Sequence, residues 1–306
     1  MDEFELIRRY FLRQDQPDDV VTGIGDDGAV IRPSPGKELV TVVDTLVADT
    51  HFPRSIDPAD IGYRAVAVNL SDMAAMGAIP RWMTLALTLT RAEPDWLERF
   101  AAGLYEAAKD SDVALIGGDT TRGEQLVVSV QVSGEVATGS AILRSGAKPG
   151  DTIFVTGTLG DAAAGLEQLD ADNPDDYLVS RFLRPTARVE AGLALAGVAN
   201  AAIDVSDGLI ADLDKLLAAS RVGADVDIEK LPLSQAIVDF AGRERALQYA
   251  MGGGDDYELC FTLPQSRLPG NLPCTAIGRI TAGDDLKCFA DGELVTFDSS
   301  GYRHFR

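Results

Sequence analysis

Along the first half of the chain the spacing of apolar positions changes several times, and each change predicts a different element. Phe4, Ile7 and Phe11 recur at three-to-four spacing and predict a helix over 2–13. The run 39–43 is short, apolar and rich in valine, which predicts a strand ending in Asp44. Asp57-Pro58-Ala59-Asp60 then sets a capping carboxylate before a proline at the first helical position, so a helix begins there and runs to Gly77, where glycine and then Pro80 stop it. From Ile61 to Met76 this helix is apolar almost all round, the pattern of a buried helix, yet it contains Asn69, Ser71 and Asp72. A buried carboxylate needs a cation, a basic side chain or a wet cavity beside it. Arg64 and Arg81 are the alternative structural partners for Asp72.

Alternation over 83–90 predicts a strand, 94–109 an amphipathic helix, 113–116 a short strand and 126–136 a longer one. The turn-rich stretch 145–151 follows, which places a domain boundary near 138–150. Beyond it, helical patterns fall at 160–169, 175–183, 186–199, 208–220 and 234–250, and strands near 152–156, 201–205, 224–228, 258–263 and 274–280. No repeat period or low-complexity tract is present. The expected class is α/β or α+β in two domains, residues 1–138 and 150–306.

Composition narrows the chemistry. With 306 residues, 46% hydrophobic and 25% charged, the chain is globular, and its apolar runs are far shorter than the roughly 20 residues that span a bilayer. The acidic start at Asp2, Glu3 and Glu5 is unlike a signal peptide, which predicts a soluble cytoplasmic protein with no membrane association. Cys260, Cys274 and Cys288 form no C-x-x-C and are expected as buried reduced thiols. Two histidines, His51 and His304, exclude a three-histidine zinc site within one chain. The formal net charge of −21 argues against nucleic acid as a partner, because phosphate backbones need Lys and Arg. It permits a phosphorylated small molecule if divalent cations stand between, since Mg²⁺ is bound by a few carboxylates together with substrate phosphates.

Aspartate beside glycine or at the end of an apolar run recurs six times: GIGDD (23–27), VVDT (42–45), NLSD (69–72), GGDTT (117–121), DVSDG (204–208) and GGGDD (252–256). Glycine admits positive φ and close backbone approach, and carboxylate oxygen suits a hard cation. One such unit reads as a solvated turn; six attached to apolar elements read as a site. Ser206-Asp207-Gly208 opens a helix, and Asp207 is there either a helix cap or a phosphate or metal ligand. His51 is a structural hydrogen-bonder or a contact to substrate phosphate. There is no G-x-x-x-x-G-K-[ST], no G-x-G-x-x-G after a strand, no kinase H-R-D and no G-x-S-x-G, and none of the six lysines stands in a glycine–aspartate motif. ATP, if used, is held by carboxylates and metal.

In order along the chain, GIGDD, VDTLVADTHF, DPADIGYRAVAVNLSDMAAMGA, LALTLT, LIGGDTTRG, SGAKPGD, VTGTLGDAAAGL, RPTARVEAG, IDVSDGLIADL and GGGDDYELCF resemble the thiamine-monophosphate kinase family, nearly end to end. That resemblance implies the aminoimidazole-ribonucleotide-synthetase-like fold: an N-terminal mixed sheet with helices that binds ATP and metal and forms a homodimer, and a C-terminal α/β domain completing the cleft. It implies transfer of the ATP γ-phosphoryl group to thiamine monophosphate, giving thiamine diphosphate and ADP, with several Mg²⁺ ions. Position by position it implies Asp27, Asp44, Asp72, Asp119, Asp204 and Asp207 as metal ligands. It implies Gly118, Asp119, Arg144, Ser206 and Tyr105 as ATP contacts, with Arg144 also a charge stabiliser, and His51, Asp255 and Tyr302 as substrate contacts.

The chain departs from that pattern at Val42 and Val43, where the family commonly carries a hydroxyl before the strand-end Asp, and at Asp255, where relatives often carry Glu. The alternatives are another ATP-dependent synthetase of the same fold group and a catalytically silent metal- and nucleotide-binding dimer. A selenophosphate synthetase normally needs an N-terminal cysteine, and the first here is Cys260. Independently of the resemblance, an acceptor that is already a phosphate oxygen needs no strong general base. The difficulty is bringing two polyanions together, which suits many Asp, few Lys and almost no His.

Overall fold

The computed structural model describes residues 3–13 and 16–295. The chain forms two compact units, Met1–Met73 with Ala78–Gly139, and Ala74–Gly77 with Ser140–Arg306.

The first unit opens on one α-helical turn, α1 (Glu3–Leu6), which widens into a π-helical turn at Ile7–Phe11. The Leu12 N–H reaches back five residues to the Ile7 carbonyl at 3.0 Å, so the helix expected over 2–13 changes register midway. Next come β1 (Val20–Thr22) and β2 (Val30–Ile31), an antiparallel ribbon whose connecting loop carries GIGDD. The remaining elements are β3 (Lys37–Val47), α2 (Pro58–Ala75), β4 (Ile79–Leu89), α3 (Pro94–Lys109), β5 (Ala114–Arg122) and β6 (Val127–Ala137). Four of these strands form a sheet in the order β3-β6-β4-β5, antiparallel except for β4 and β5, which run parallel through the α3 crossover.

Alternation along β6 buries Val128, Val130 and Val132 and leaves Ser129, Gln131 and Ser133 half-exposed on the opposite face. There Thr45 and Thr41 of β3 share hydroxyl hydrogen bonds with Ser129 and Ser133, at 2.8 and 3.0 Å. On α3, Leu97, Phe100 and Leu104 are fully buried, as the amphipathic pattern predicts. Helices α2 and α3 touch backbone to backbone: a Cβ on Gly103 would lie 1.8 Å from the Ala59 carbonyl oxygen, so only glycine permits this crossing.

Two strands are longer than their apolar runs suggest. β3 continues past Asp44 to Val47, and β5 continues through the whole of GGDTT. Gly and Asp are poor strand formers, but β4 supplies a parallel partner from Ala114 to Arg122 and holds the motif extended. GGDTT therefore lies within an edge strand and does not follow one.

The second unit contains β7 (Thr152–Thr156), α4 (Asp161–Glu167), α5 (Asp176–Leu183), α6 (Val189–Leu195), β8 (Ala201–Asp204), α7 (Leu209–Ser220) and β9 (Gly223–Asp227). It continues with α8 (Gln235–Gly252), β10 (Leu259–Leu263), β11 (Cys274–Thr281), β12 (Leu286–Ala290) and β13 (Glu293–Val295). The sheet order is β13-β12-β9-β11-β7-β10-β8, antiparallel except between β12 and β9. Strands β7 and β10 are buried throughout because both faces are covered. Ile153, Val155 and Cys260 join Leu213, Leu216 and Leu217 of α7 in one core. Phe154 and Phe261, stacked at 5.4 Å, anchor a second with Leu195 of α6. Helix α8 breaks its path at Gly242, where φ is 72°. Burial pushes the Cys260 thiol up to about 12, which keeps it protonated and inert. Among the described residues no helix is long and apolar enough to cross a membrane.

Candidate functional site

In the first unit the β1–β2 loop and the middle of β5, about ninety residues apart in sequence, line one cavity of about 400 Å³. The loop contributes Asp26 and Asp27, and β5 contributes Gly118 and Asp119; Phe11, Leu85 and Leu115 form an apolar wall. Asp26 accepts the N–H of Asp27 at 2.8 Å, so its carboxylate is turned into its own loop. Gly118 has φ 153°, and a Cβ there would lie 1.9 Å from the Leu85 carbonyl oxygen. Only glycine lets β5 close on β4 at this point. The structure thus brings together Asp27, Gly118 and Asp119.

It holds Asp44 apart from them. Asp44 pairs with Val130 in the row of Leu85 and Gly118, but β3 and β5 are the two edges of the sheet. Three inter-strand spacings separate their backbones by about 14 Å. Asp72 lies half-buried in the last turn of α2. Arg81, one of its two expected partners, is committed instead to Asp19. Among the described residues no three His, Cys, Asp or Glu side chains converge as a ready-made metal cage. Dispersed carboxylates of this kind fit Mg²⁺ as it is usually bound, through one or two carboxylates each with waters and phosphate oxygens, and do not fit a closed structural site.

Two more expected residues of this unit have structural partners. The Nδ1 of His51 accepts the Val47 N–H at 3.0 Å, which places the proton of the neutral ring on Nε2. The Tyr105 hydroxyl donates to the Phe11 carbonyl at 2.6 Å, and the Arg13 guanidinium lies 3.9 Å from its ring centroid. Tyr105 therefore braces the residue that walls the cavity.

In the second unit DVSDG and GGGDD, forty-eight residues apart, lie side by side. Asp204 ends β8 and is buried. The Ser206 carbonyl accepts the Asp255 N–H at 2.8 Å, and the Val205 carbonyl accepts the Tyr257 N–H at 2.9 Å. Asp255 and Tyr257 both have positive φ, 60° and 52°, and the Tyr257 hydroxyl donates to Asp255 Oδ1 at 3.0 Å. Asp207 does not cap α7: Gly208 occupies that position, and no side chain caps it. The carboxylate of Asp212 takes the N–H groups of Ser206 and Asp207 instead, and Lys215 bridges Asp212 to Asp207. Burial pushes the Asp212 carboxyl up, and the Lys215 ammonium pulls it back. Arg144 is exposed, and its carbonyl accepts the Ser220 hydroxyl at 2.9 Å. Tyr302 lies outside the described residues.

Behind Asp255 stands a buried polar frame that the motifs do not announce. Glu258, fully buried, accepts from Arg181 at 2.9 Å, from Arg188 at 2.5 and 2.6 Å, and from the Thr156 hydroxyl at 2.6 Å. Asp256 accepts the N–H of Gly160 at 2.7 Å and of Ala162 at 3.4 Å, and burial pushes its carboxyl up to about 8. Only the alternation of GGGDDYELCF into β10 hinted that its second Asp and its Glu point inward.

The raised Asp256 group has a testable consequence. The folded chain holds a proton that the unfolded chain releases near its ordinary value of about 4, so stability contributed by the neutral carboxyl is lost as pH rises toward 8. Asp256→Asn imitates the neutral form. Its urea midpoint exceeds that of the wild type by much more at pH 9 than at pH 5, because the wild type loses stability from about pH 4 up to about 8; a difference that does not change with pH would mean Asp256 is ionised throughout.

Known proteins resemble this chain along nearly its whole length. The chain matches the family "AIR synthase related protein, N-terminal domain" over residues 25–136 and its C-terminal domain counterpart over 148–291. It is 49% identical over 319 residues to thiamine-monophosphate kinase of Escherichia coli (strain K12), covering 99% of this chain and 98% of that protein. The crystal structure of thiamine-monophosphate kinase from Stenotrophomonas maltophilia K279a superposes with a TM-score of 0.86 at 46% identity, covering 96% of this chain and 98% of that one. The structure of AaThiL complexed with AMPPCP and TMP superposes with a TM-score of 0.82 at 37% identity, covering 92% of each.

Proposed function

The chain belongs to the thiamine-monophosphate kinase family, and from that premise we propose how its residues divide the work of moving a phosphoryl group from ATP to thiamine monophosphate. The observation that carries the proposal is the cavity where the GIGDD loop meets GGDTT. The similar AaThiL structure is complexed with AMPPCP and TMP, and the cavity here offers ligands of that kind one acidic, glycine-lined wall and one apolar wall.

In the reaction the bond from the γ-phosphorus to the β–γ bridging oxygen breaks and ADP leaves. A new bond forms to a phosphate oxygen of thiamine monophosphate, giving thiamine diphosphate. The acceptor is already anionic, so no side chain need remove a proton. Asp27 and Asp119 would hold the cation on the phosphates at the cavity wall, and Gly118 would let the backbone of β5 approach them. Asp44, Asp72, Asp204 and Asp207 would supply further oxygen ligands to Mg²⁺. Mg²⁺, when bound, screens the two polyanions and stabilises charge on the transferring group. Ser206 and Arg144 contact ATP, with Tyr105 bracing Phe11; Arg144 adds charge-assisted hydrogen bonds. His51, Asp255 and Tyr302 contact thiamine monophosphate.

A cytoplasmic homodimer is the finer reading. The free thiols Cys260, Cys274 and Cys288 suit a reducing compartment. Exposed Leu39 and Val43 on the outer face of β3 suit a pairing surface.

The test is acceptor dependence. ADP release with ATP and Mg²⁺ is expected with thiamine monophosphate and absent with unphosphorylated thiamine. Equal ATP consumption with no acceptor would replace the kinase with a hydrolase or with another member of the fold group.

A further inference from the structure

We propose that Asp212, working through Lys215, is a positioning residue that sets the 205–208 turn for nucleotide. The inference rests on the reading of Ser206 and Asp207 as ATP- and cation-facing residues. Asp212 stands in the first turn of α7 and is 1% exposed. Its Oδ2 accepts two consecutive backbone N–H groups, from Ser206 at 2.8 Å and from Asp207 at 2.9 Å. Two successive amides held by one oxygen remove the freedom of that peptide to rotate, and with it the freedom of the Ser206 and Asp207 side chains to depart in other directions. A side chain does here what backbone pairing does in a strand.

The other oxygen, Oδ1, accepts from Lys215 Nζ at 2.7 Å, and the same ammonium reaches Asp207 Oδ2 at 2.5 Å. Lys215 therefore ties the carboxylate that faces ligand to the carboxylate that holds the turn. Without it two negative groups would face each other, one of them buried, and Asp207 would swing away. This is also the place where the lysine absent from the glycine–aspartate motifs enters: Lys215 is three residues beyond Asp212, one helical turn along α7.

Val205, at the start of the turn, pairs with Tyr257 and Glu258, and beyond it the turn meets the thiamine side through the Asp255 N–H on the Ser206 carbonyl, at 2.8 Å. Asp255 has its own support in the Tyr257 hydroxyl, and its segment is pinned by pairing of Val205 with Tyr257 and Glu258. Loosening the turn should therefore disturb ATP more than thiamine monophosphate, a split that a merely structural carboxylate would not produce.

The experiment compares Asp212→Asn, Lys215→Met and Lys215→Arg. The asparagine keeps an oxygen for the two amides but severs the lysine link. In Asp212→Asn and Lys215→Met, the KM for ATP and the calorimetric Kd for AMPPCP rise about tenfold, the scale of one lost charge-assisted hydrogen bond. The KM for thiamine monophosphate stays within about twofold, and arginine at 215 restores ATP affinity to within about threefold. If Asp212→Asn fails to fold, Lys215→Met decides alone, because Lys215 is 41% exposed. A fall in melting temperature with both KM values unchanged, or an equal rise in both, overturns the positioning role. Absence of thiamine diphosphate from the wild-type enzyme would instead overturn the kinase reading beneath it.

Discussion

Asp119→Asn lowers kcat/KM for thiamine monophosphate by about 10²–10³-fold, the range typical for loss of one preorganised charge-stabilising group. Asp119 sits on the cavity wall beside Gly118, exposed and away from the apolar core. The substitution keeps the side chain's shape and removes its charge, so the melting temperature is expected to hold, as for most exposed changes. Excess Mg²⁺ recovers little, because an amide oxygen is a weaker and undirected ligand. Steady-state kinetics beside a thermal melt separate the two effects. Turnover near wild type in the folded variant would show that GGDTT is a structural edge and that phosphate is bound elsewhere.

Glu258→Ala destabilises the second unit by about 3–5 kcal/mol, the cost of leaving a buried charge without its partner. Glu258 is the common acceptor for Arg181, Arg188 and the Thr156 hydroxyl. Arg181 is itself only 9% exposed in its side chain, so its guanidinium has little recourse to water. Removing the more buried of the two cations as well, in Glu258→Leu with Arg181→Met, recovers part of the loss, since an apolar pair of similar volume carries no desolvation penalty and the Arg188 side chain, 31% exposed, keeps access to water. Urea unfolding of the single and double variants reads this directly. A single variant within about 1 kcal/mol of wild type would mean that solvent reaches the two guanidiniums once Glu258 is gone.

The elements that sequence made legible are those whose partners are uniform. α3 over 94–109 and β7 over 152–156 are as the patterns predict, because one helix face or two sheet faces meet a continuous apolar core. β1, β2, β12 and β13 were not foreseen; they are short or half-exposed and depend on a neighbouring strand for their definition. β5 overran its apolar run because pairing with β4 outweighs the preferences of Gly117, Gly118 and Asp119. The glycine–aspartate motifs located the candidate site, since their chemistry is local. Asp212, Lys215, Asp256 and Glu258 were invisible for the opposite reason: each acts through a contact that exists only once separate segments are packed together. In the sequence Asp212 is one polar position on a helix with an apolar stripe, and Glu258 one polar position beside an apolar run.

The measurement that bears most directly on the account is the fate of label from γ-³²P-ATP incubated with the purified protein, Mg²⁺ and thiamine monophosphate. Direct transfer predicts that the label appears in the terminal phosphate of thiamine diphosphate, in one-to-one ratio with ADP. Label released as inorganic phosphate, with thiamine monophosphate unchanged, would contradict it.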